Sequence, residues 1–304
     1  MEIKNKKIFI TVDVEAEWLL FPNEQHKFNL KNLKSDVGLI EKTISEVESS
    51  IAQKIPITWF IRCDDNIKKI FGKNSSLLDI FETFIHKRKA LGDSFGIHPH
   101  LYAEKEFEID TNLDSQCDQI ESAIESWGAF FCKPPKISRI GECLMNNEIA
   151  KKISELGIQV DSTALPGRKL INDKFQFDWE ITPHHKYMPS IHDYRSETKN
   201  GEKKQKYLEV PFSMLPIKSN IDSRHFLRYM NLSYKSKYLM ENIDTLNFSE
   251  DIVAITHPHE ISYKKTSHAL ISYNAETLKT NIKLLNKKFK NSTFHGLDFY
   301  CESE

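Results

Sequence analysis

The sequence predicts an α/β protein built on a parallel sheet covered by helices. Two observations carry this. Short β-branched runs alternate with longer stretches that have apolar residues at helical spacing. Almost every expected strand also ends in a polar or ionisable group, which is where parallel α/β proteins collect their chemistry. The length of 304 residues is enough to bury a substantial core.

In order along the chain, KIFITVD reads as the first strand. Residues 35–54 place Val37, Ile40, Ile44, Val47 and Ile51 on one helical face. IPITWFI is a buried strand, LLDIFETFIHKRKAL a helix and SFGIH a strand. SQCDQIESAIESWGAFF is a helix stopped by Pro134 and Pro135. PKISRIG follows as a strand, and NNEIAKKISELG as a helix with Gly157 just past its end. IQVDST is the next strand. Residues 164–206 then break the rhythm: they are rich in Pro, His, Tyr and Asp and lack periodicity, as functional loops do. KYLEVPFSM and DIVAITH read as strands with a helix near 237–246 between them. AETLKTNIKLLNKKF is the last helix and NSTFHG a last short strand.

Bulk properties exclude several classes. The formal net charge is −1, from 42 Lys+Arg against 43 Asp+Glu, so there is no electrostatic case for nucleic acid or an anionic membrane. No run approaches the roughly 20 apolar residues of a membrane helix. The N-terminal apolar run meets Asp13 too early for a secretion signal, so a cytoplasmic location is expected. Five cysteines without CxxC spacing argue against disulfides and thiolate metal sites. Neither a Walker A pattern nor GxGxxG is present.

The strand ends supply the chemistry. TVDVE brings Asp13 and Glu15, two apart, to one face of an extended chain, where two carboxylates repel unless a cation or proton is shared. GIHPH brings His98 and His100 in the same relation, and two converging imidazoles suit a zinc site. ITHPHE supplies His257, His259 and Glu260; a histidine beside a metal can protonate a leaving amine. Arg139 in KISRIGE calls for a carboxylate partner if buried. Arg62, Asp64 and Asp65 end the second strand, and Asp161 ends the fifth.

These motifs, TVDVE, ITWFI, HPH, SRIGE and ITHPHE in that order, resemble the polysaccharide deacetylases with a NodB-like fold, from about Ile8 to Phe294. The resemblance implies a distorted (β/α) barrel, one domain over residues 1–304, with an irregular insertion around 164–206. It implies Asp13 as catalytic base, Glu15 and His98 as metal ligands, His257 as general acid, and Arg139 as the residue holding the base. Three departures stand out. The family's second histidine lies four positions after the first, where this chain has Tyr102, so His100 must substitute. Ile140 and Gly141 stand where a proline usually follows the arginine, and His259 competes with His257.

The implied cofactor is a divalent metal. Zinc suits two histidines and a carboxylate, although cobalt, nickel or iron can occupy such a set. The implied partner is a carbohydrate or glycoconjugate, touched by Arg62, Asp64 and Asp161 and by Trp179, Tyr187, Tyr194 and Arg195 of the insertion. Those four insertion residues equally suit packing of the loop itself. Two other readings stay open: an amidase acting on a non-sugar amide, and an inactive carbohydrate-binding relative.

Overall fold

Eight residues, Lys7–Val14, form the first strand, β1, and seven of them are buried. The other strands are β2 (Ile57–Ile61), β3 (Ser94–Ile97), β4 (Ile137–Ser138), β5 (Val160–Asp161), β6 (Lys169–Ile171), β7 (Gln176–Asp178), β8 (Leu208–Glu209), β9 (Met214–Ile217), β10 (Phe226–Tyr229), β11 (Asp251–Thr256) and β12 (Thr293–Phe294). The helices are α1 (Leu30–Ile51), α2 (Asp65–Phe71), α3 (Ser76–Ile80), α4 (Glu82–Ala90), α5 (Leu113–Phe131), α6 (Asn147–Glu155), α7 (Ser236–Asn242) and α8 (Ala275–Lys288). The structure is a computed structural model that describes residues 6–15, 30–103, 108–172, 175–246, 251–262 and 267–302. It divides into two compact units, residues 1–57 with 213–295, and residues 58–212 with 296–304.

In the first unit β1 pairs in parallel with β11, Lys7 opposite Asp251 through Val12 opposite Thr256, and with the shorter β12. The expected stripe on α1 is real: Val37, Ile40, Ile44 and Val47 are buried, and α1 packs on α8, which buries Leu278, Ile282 and Leu285. β9 and β10 form an antiparallel hairpin. Beyond it the backbone runs beside β11: Leu232 N–H donates to Ile255 O, and Ile255 N–H to Met230 O. That ladder fixes Asn231 close to the end of β11.

In the second unit β2, β3, β4, β5 and β8 pair in parallel, in that order. β4 and β5 are only two residues long, yet the sheet continues beyond them through single backbone bonds. His98 N–H donates to Ile61 O, Arg139 N–H to Ile97 O, and Gly141 N–H to Pro99 O. The residues that end these strands are therefore held by the sheet itself.

Two expected elements differ in detail. LLDIFETFIHKRKAL breaks at Phe81 into α3 and α4; the bend buries Phe81 and Ile85 while Phe84 meets Trp59 edge-on. KYLEVPFSM splits into β8 and β9, which belong to different units. α2 was not expected. Its seven residues are too few for a periodic signal, but Asp64 caps its N-terminus through Ile67 N–H and Gly72 closes it at φ 95°. Within 164–206, β6 and β7 form a short antiparallel hairpin. Among the described residues the five cysteines form no disulfide. Among the described residues no helix is long and apolar enough to cross a membrane.

Candidate active site

In the second unit His98 and His100 follow β3 with Pro99 between them, so their rings leave the chain on the same side. Both are buried. The rings stand at 85° with centroids 4.8 Å apart, and their Nε2 atoms lie 3.2 Å apart. The other ring nitrogens determine what those Nε2 atoms are. His98 Nδ1 lies 2.8 Å from the carbonyl of Arg139, which only accepts, so Nδ1 carries the proton. His100 Nδ1 lies 2.8 Å from the Tyr102 hydroxyl, which itself donates to Glu142 Oε1 at 2.8 Å. A carboxylate only accepts, so the Tyr102 hydrogen is committed to Glu142, and His100 Nδ1 is the donor to Tyr102. Both Nε2 atoms then present lone pairs at 3.2 Å. That arrangement repels itself unless a cation lies before it, and it is the arrangement that oriented histidine ligands show. The donor set fits a divalent metal.

Tyr102 thus occupies the position where the family resemblance calls for a histidine, and it buttresses His100 instead. The turn after Arg139 is shaped to the same end. Gly141 lies against the His100 ring, and Glu142 and Cys143 both take φ 54°, a region most side chains avoid. The strained backbone brings the Glu142 carboxylate to Tyr102.

Arg139 is buried, its guanidinium between the rings of Phe60 at 4.2 Å and Phe212 at 4.3 Å. It donates to Ser162 O and Ser162 Oγ. Arg62 and Asp64 form a buried ion pair at 2.8 Å. Asp64 also accepts the His100 backbone N–H at 3.2 Å. Its contacts are therefore those of a support beneath His100. The Arg62 pair holds the Asp64 carboxyl below its usual range although burial, the largest influence, pushes the other way.

Asp161 faces a carboxylate that the motif reading missed. Parallel pairing sets it opposite Glu209. Asp161 accepts from Ser138 Oγ at 2.5 Å and from Thr163 N–H. Glu209 Oε1 accepts the N–H groups of Thr163 and Ala164, while its buried Oε2 takes no donor. Burial, and then the Asp161 charge, raises Glu209 well above the usual carboxylate range, so Glu209 is the member that holds a proton. A folded pKa above the unfolded one contributes stability that is full below about pH 4 and lost as pH rises through the folded value. Glu209→Gln offers Asp161 an N–H at every pH. The variant is expected to match the wild type near pH 4.5 and exceed its Tm by roughly 2–6 °C at pH 8. Parallel Tm–pH curves would contradict the shared proton.

In the first unit β1 ends at Val14, and Glu15 N–H turns back onto Asp13 O at 2.9 Å. A tight turn, rather than the strand alternation expected, therefore sets the relation of the two carboxylates. Both face His257, which follows β11: its Nε2 lies 3.9 Å from Asp13 Oδ2 and 3.6 Å from Glu15 Oε1. His257 Nδ1 lies 3.1 Å from Glu260 Oε2. Burial opposes a charge on this ring, but Glu260, then Glu15 and Asp13, outweigh it and raise its pKa to about 10. The His259 ring centroid is 5.6 Å from that of His257. These distances favour His257 as the group beside the two acids.

The insertion residues bind one another and the turn at Cys143. Trp179 Nε1 donates to Cys143 O, Tyr187 OH to Tyr194 O, and Tyr194 OH to Asp178 O. Arg195 pairs with Asp178 and Asp193 at 2.9 Å each. The three aromatics are buried, and these contacts hold the loop in place.

No protein-family model and no curated protein matches the sequence. Solved structures do match. A candidate glycoside hydrolase/deacetylase of Parabacteroides distasonis aligns with TM-score 0.63 at 10% identity, over 98% of this chain and 71% of that one. A candidate polysaccharide deacetylase of Mycobacterium smegmatis aligns with TM-score 0.56 at 13% identity, over 98% of this chain and 89% of that one. The Puue allantoinase aligns with TM-score 0.56 at 12% identity, over 98% and 90%. The chain has the NodB-like α/β fold of the polysaccharide deacetylases. At these identities the likeness establishes the fold, and the reaction has to be argued from the site.

Proposed function

We propose that the protein is a divalent-metal-dependent hydrolase that removes an N-acetyl or similar acyl group from a sugar or glycan. The observation that carries this reading is the His98–His100 pair, both Nδ1 atoms tied and both Nε2 lone pairs presented together. In this reading His98, His100 and Glu15 hold the metal, with zinc suited to that set. When bound, the cation supplies a Lewis acid for the acyl carbonyl and lowers the pKa of water. Asp13 takes the proton from the attacking water on its carboxylate, and Arg139 holds that base as the family resemblance implies. His257 carries a proton on Nε2 at neutral pH and delivers it to the leaving amine.

The test is acetate release from N-acetylated sugars and glycoconjugates, before and after chelation. Activity is expected to vanish on chelation and to return with zinc, cobalt or nickel. A protein that binds none of these cations would overturn the reading. One that cleaves only non-sugar amides would replace the substrate class and keep the metal chemistry.

A further inference from the structure

We infer that Glu260, itself oriented by Asn231, is the positioning residue that fixes His257 for proton delivery; this rests on the reading of His257 as the acid. The three residues lie in one compact unit. Glu260 closes the turn Pro258–Glu260 that follows His257, and its carboxylate is 3% exposed. A buried carboxylate is retained only where partners compensate it. Here Oε2 accepts the backbone N–H of His257 at 3.0 Å and lies 3.1 Å from His257 Nδ1. The ring contact is an ion pair bent away from a straight hydrogen bond. Asn231 Nδ2 donates to both carboxylate oxygens at 2.9 Å.

The orientation of Asn231 follows from its other end. Its Oδ1 accepts Ser233 N–H at 2.8 Å, so Nδ2 is the atom turned to Glu260. The ladder beside β11 holds the Asn231 backbone. Two elements thus clamp one carboxylate, and that carboxylate holds both the main chain and the ring of His257. With Nδ1 facing an anion, the proton on Nδ1 stays there, and Nε2 is the nitrogen free to exchange one. Nε2 is also the atom turned toward Asp13 and Glu15. A salt bridge that merely stabilised the turn would not require the carboxylate to reach the ring.

The test uses Glu260→Gln together with the polarity swap Asn231→Asp/Glu260→Gln, on the full chain. In the single variant an amide N–H faces Asn231 Nδ2, donor against donor, and folding can suffer. The swap restores an acceptor at position 231 and so restores the clamp while removing the carboxylate from the ring. In both variants kcat on an N-acetylated sugar is expected to fall roughly tenfold to a hundredfold with KM nearly unchanged. Independently, ¹H–¹⁵N spectra of histidine-labelled protein should show an Nδ1-bound proton on His257, assigned by its loss in His257→Gln, and that signal should shift upfield or broaden by exchange in the swap, where a neutral amide oxygen replaces the carboxylate as its acceptor. A folded swap variant with wild-type kcat would overturn the inference, as would a wild type lacking the Nδ1 signal. If the wild type releases no acetate from any substrate, the proposed function fails, and the spectra alone then decide the role of Glu260.

Discussion

Asp13→Asn is expected to lower kcat by about 10²–10⁴-fold, and His257→Gln to fall in the same range. Asparagine keeps the size and the hydrogen-bonding reach of the Asp13 side chain but takes up no proton from water. Glutamine at 257 likewise offers an N–H that does not transfer. Because the base and the acid serve the same hydrolysis as a unit, the double variant should cost far less than the product of the single losses. Metal content separates Asp13 from its neighbour. With Asp13 read as base and Glu15 as ligand, Asp13→Asn should keep its bound zinc while Glu15→Gln loses it. Steady-state kinetics and elemental analysis on the same preparations make both measurements. Asp13→Asn with full activity would remove the base from this scheme, and zinc loss in Asp13→Asn but not in Glu15→Gln would exchange the two roles.

Much of this was legible in the chain, and the reasons are local. β1 and α1 announce themselves because Val and Ile recur at the periods of a strand and a helix. The ionisable residues at strand ends are legible because, within each unit, parallel strands deliver them to one side whatever the sequence between them. What escaped depends on partners distant in the chain. Glu209 gains its meaning from Asp161 across a parallel pair, and Asn231 from Glu260, 29 residues away. No spacing rule reports such pairs. Tyr102 and Gly141 are the instructive case. Each reads alone as a departure from the family pattern. In the structure they are parts of one change, since the histidine stands at 100, the tyrosine at 102 ties its Nδ1, and the glycine leaves room for its ring.

That account makes Gly141→Ala a severe substitution at a position with no charge and no side chain. A Cβ there would lie 2.4 Å from His100 Cδ2, 2.5 Å from Cγ and 2.7 Å from Nε2. The backbone has little room to yield, because Gly141 N–H is bonded to Pro99 O at 2.8 Å. Gly141 is not among the residues at positive φ, so alanine meets no conformational penalty and the effect is steric alone. The His100 ring must move, and a displacement of about 1 Å at a reacting centre costs on the order of 10²-fold. Zinc affinity and kcat/KM should both fall by about that factor or more, with an overpacking cost of about 1–3 kcal/mol read from denaturant unfolding of the metal-free protein. The double-mutant cycle identifies the clash. In a His100→Ala background the ring is gone, so Gly141→Ala should cost almost no stability there. If it costs as much with alanine at 100 as with histidine, then glycine is required at 141 for the turn through Glu142 and Cys143, and not to seat His100.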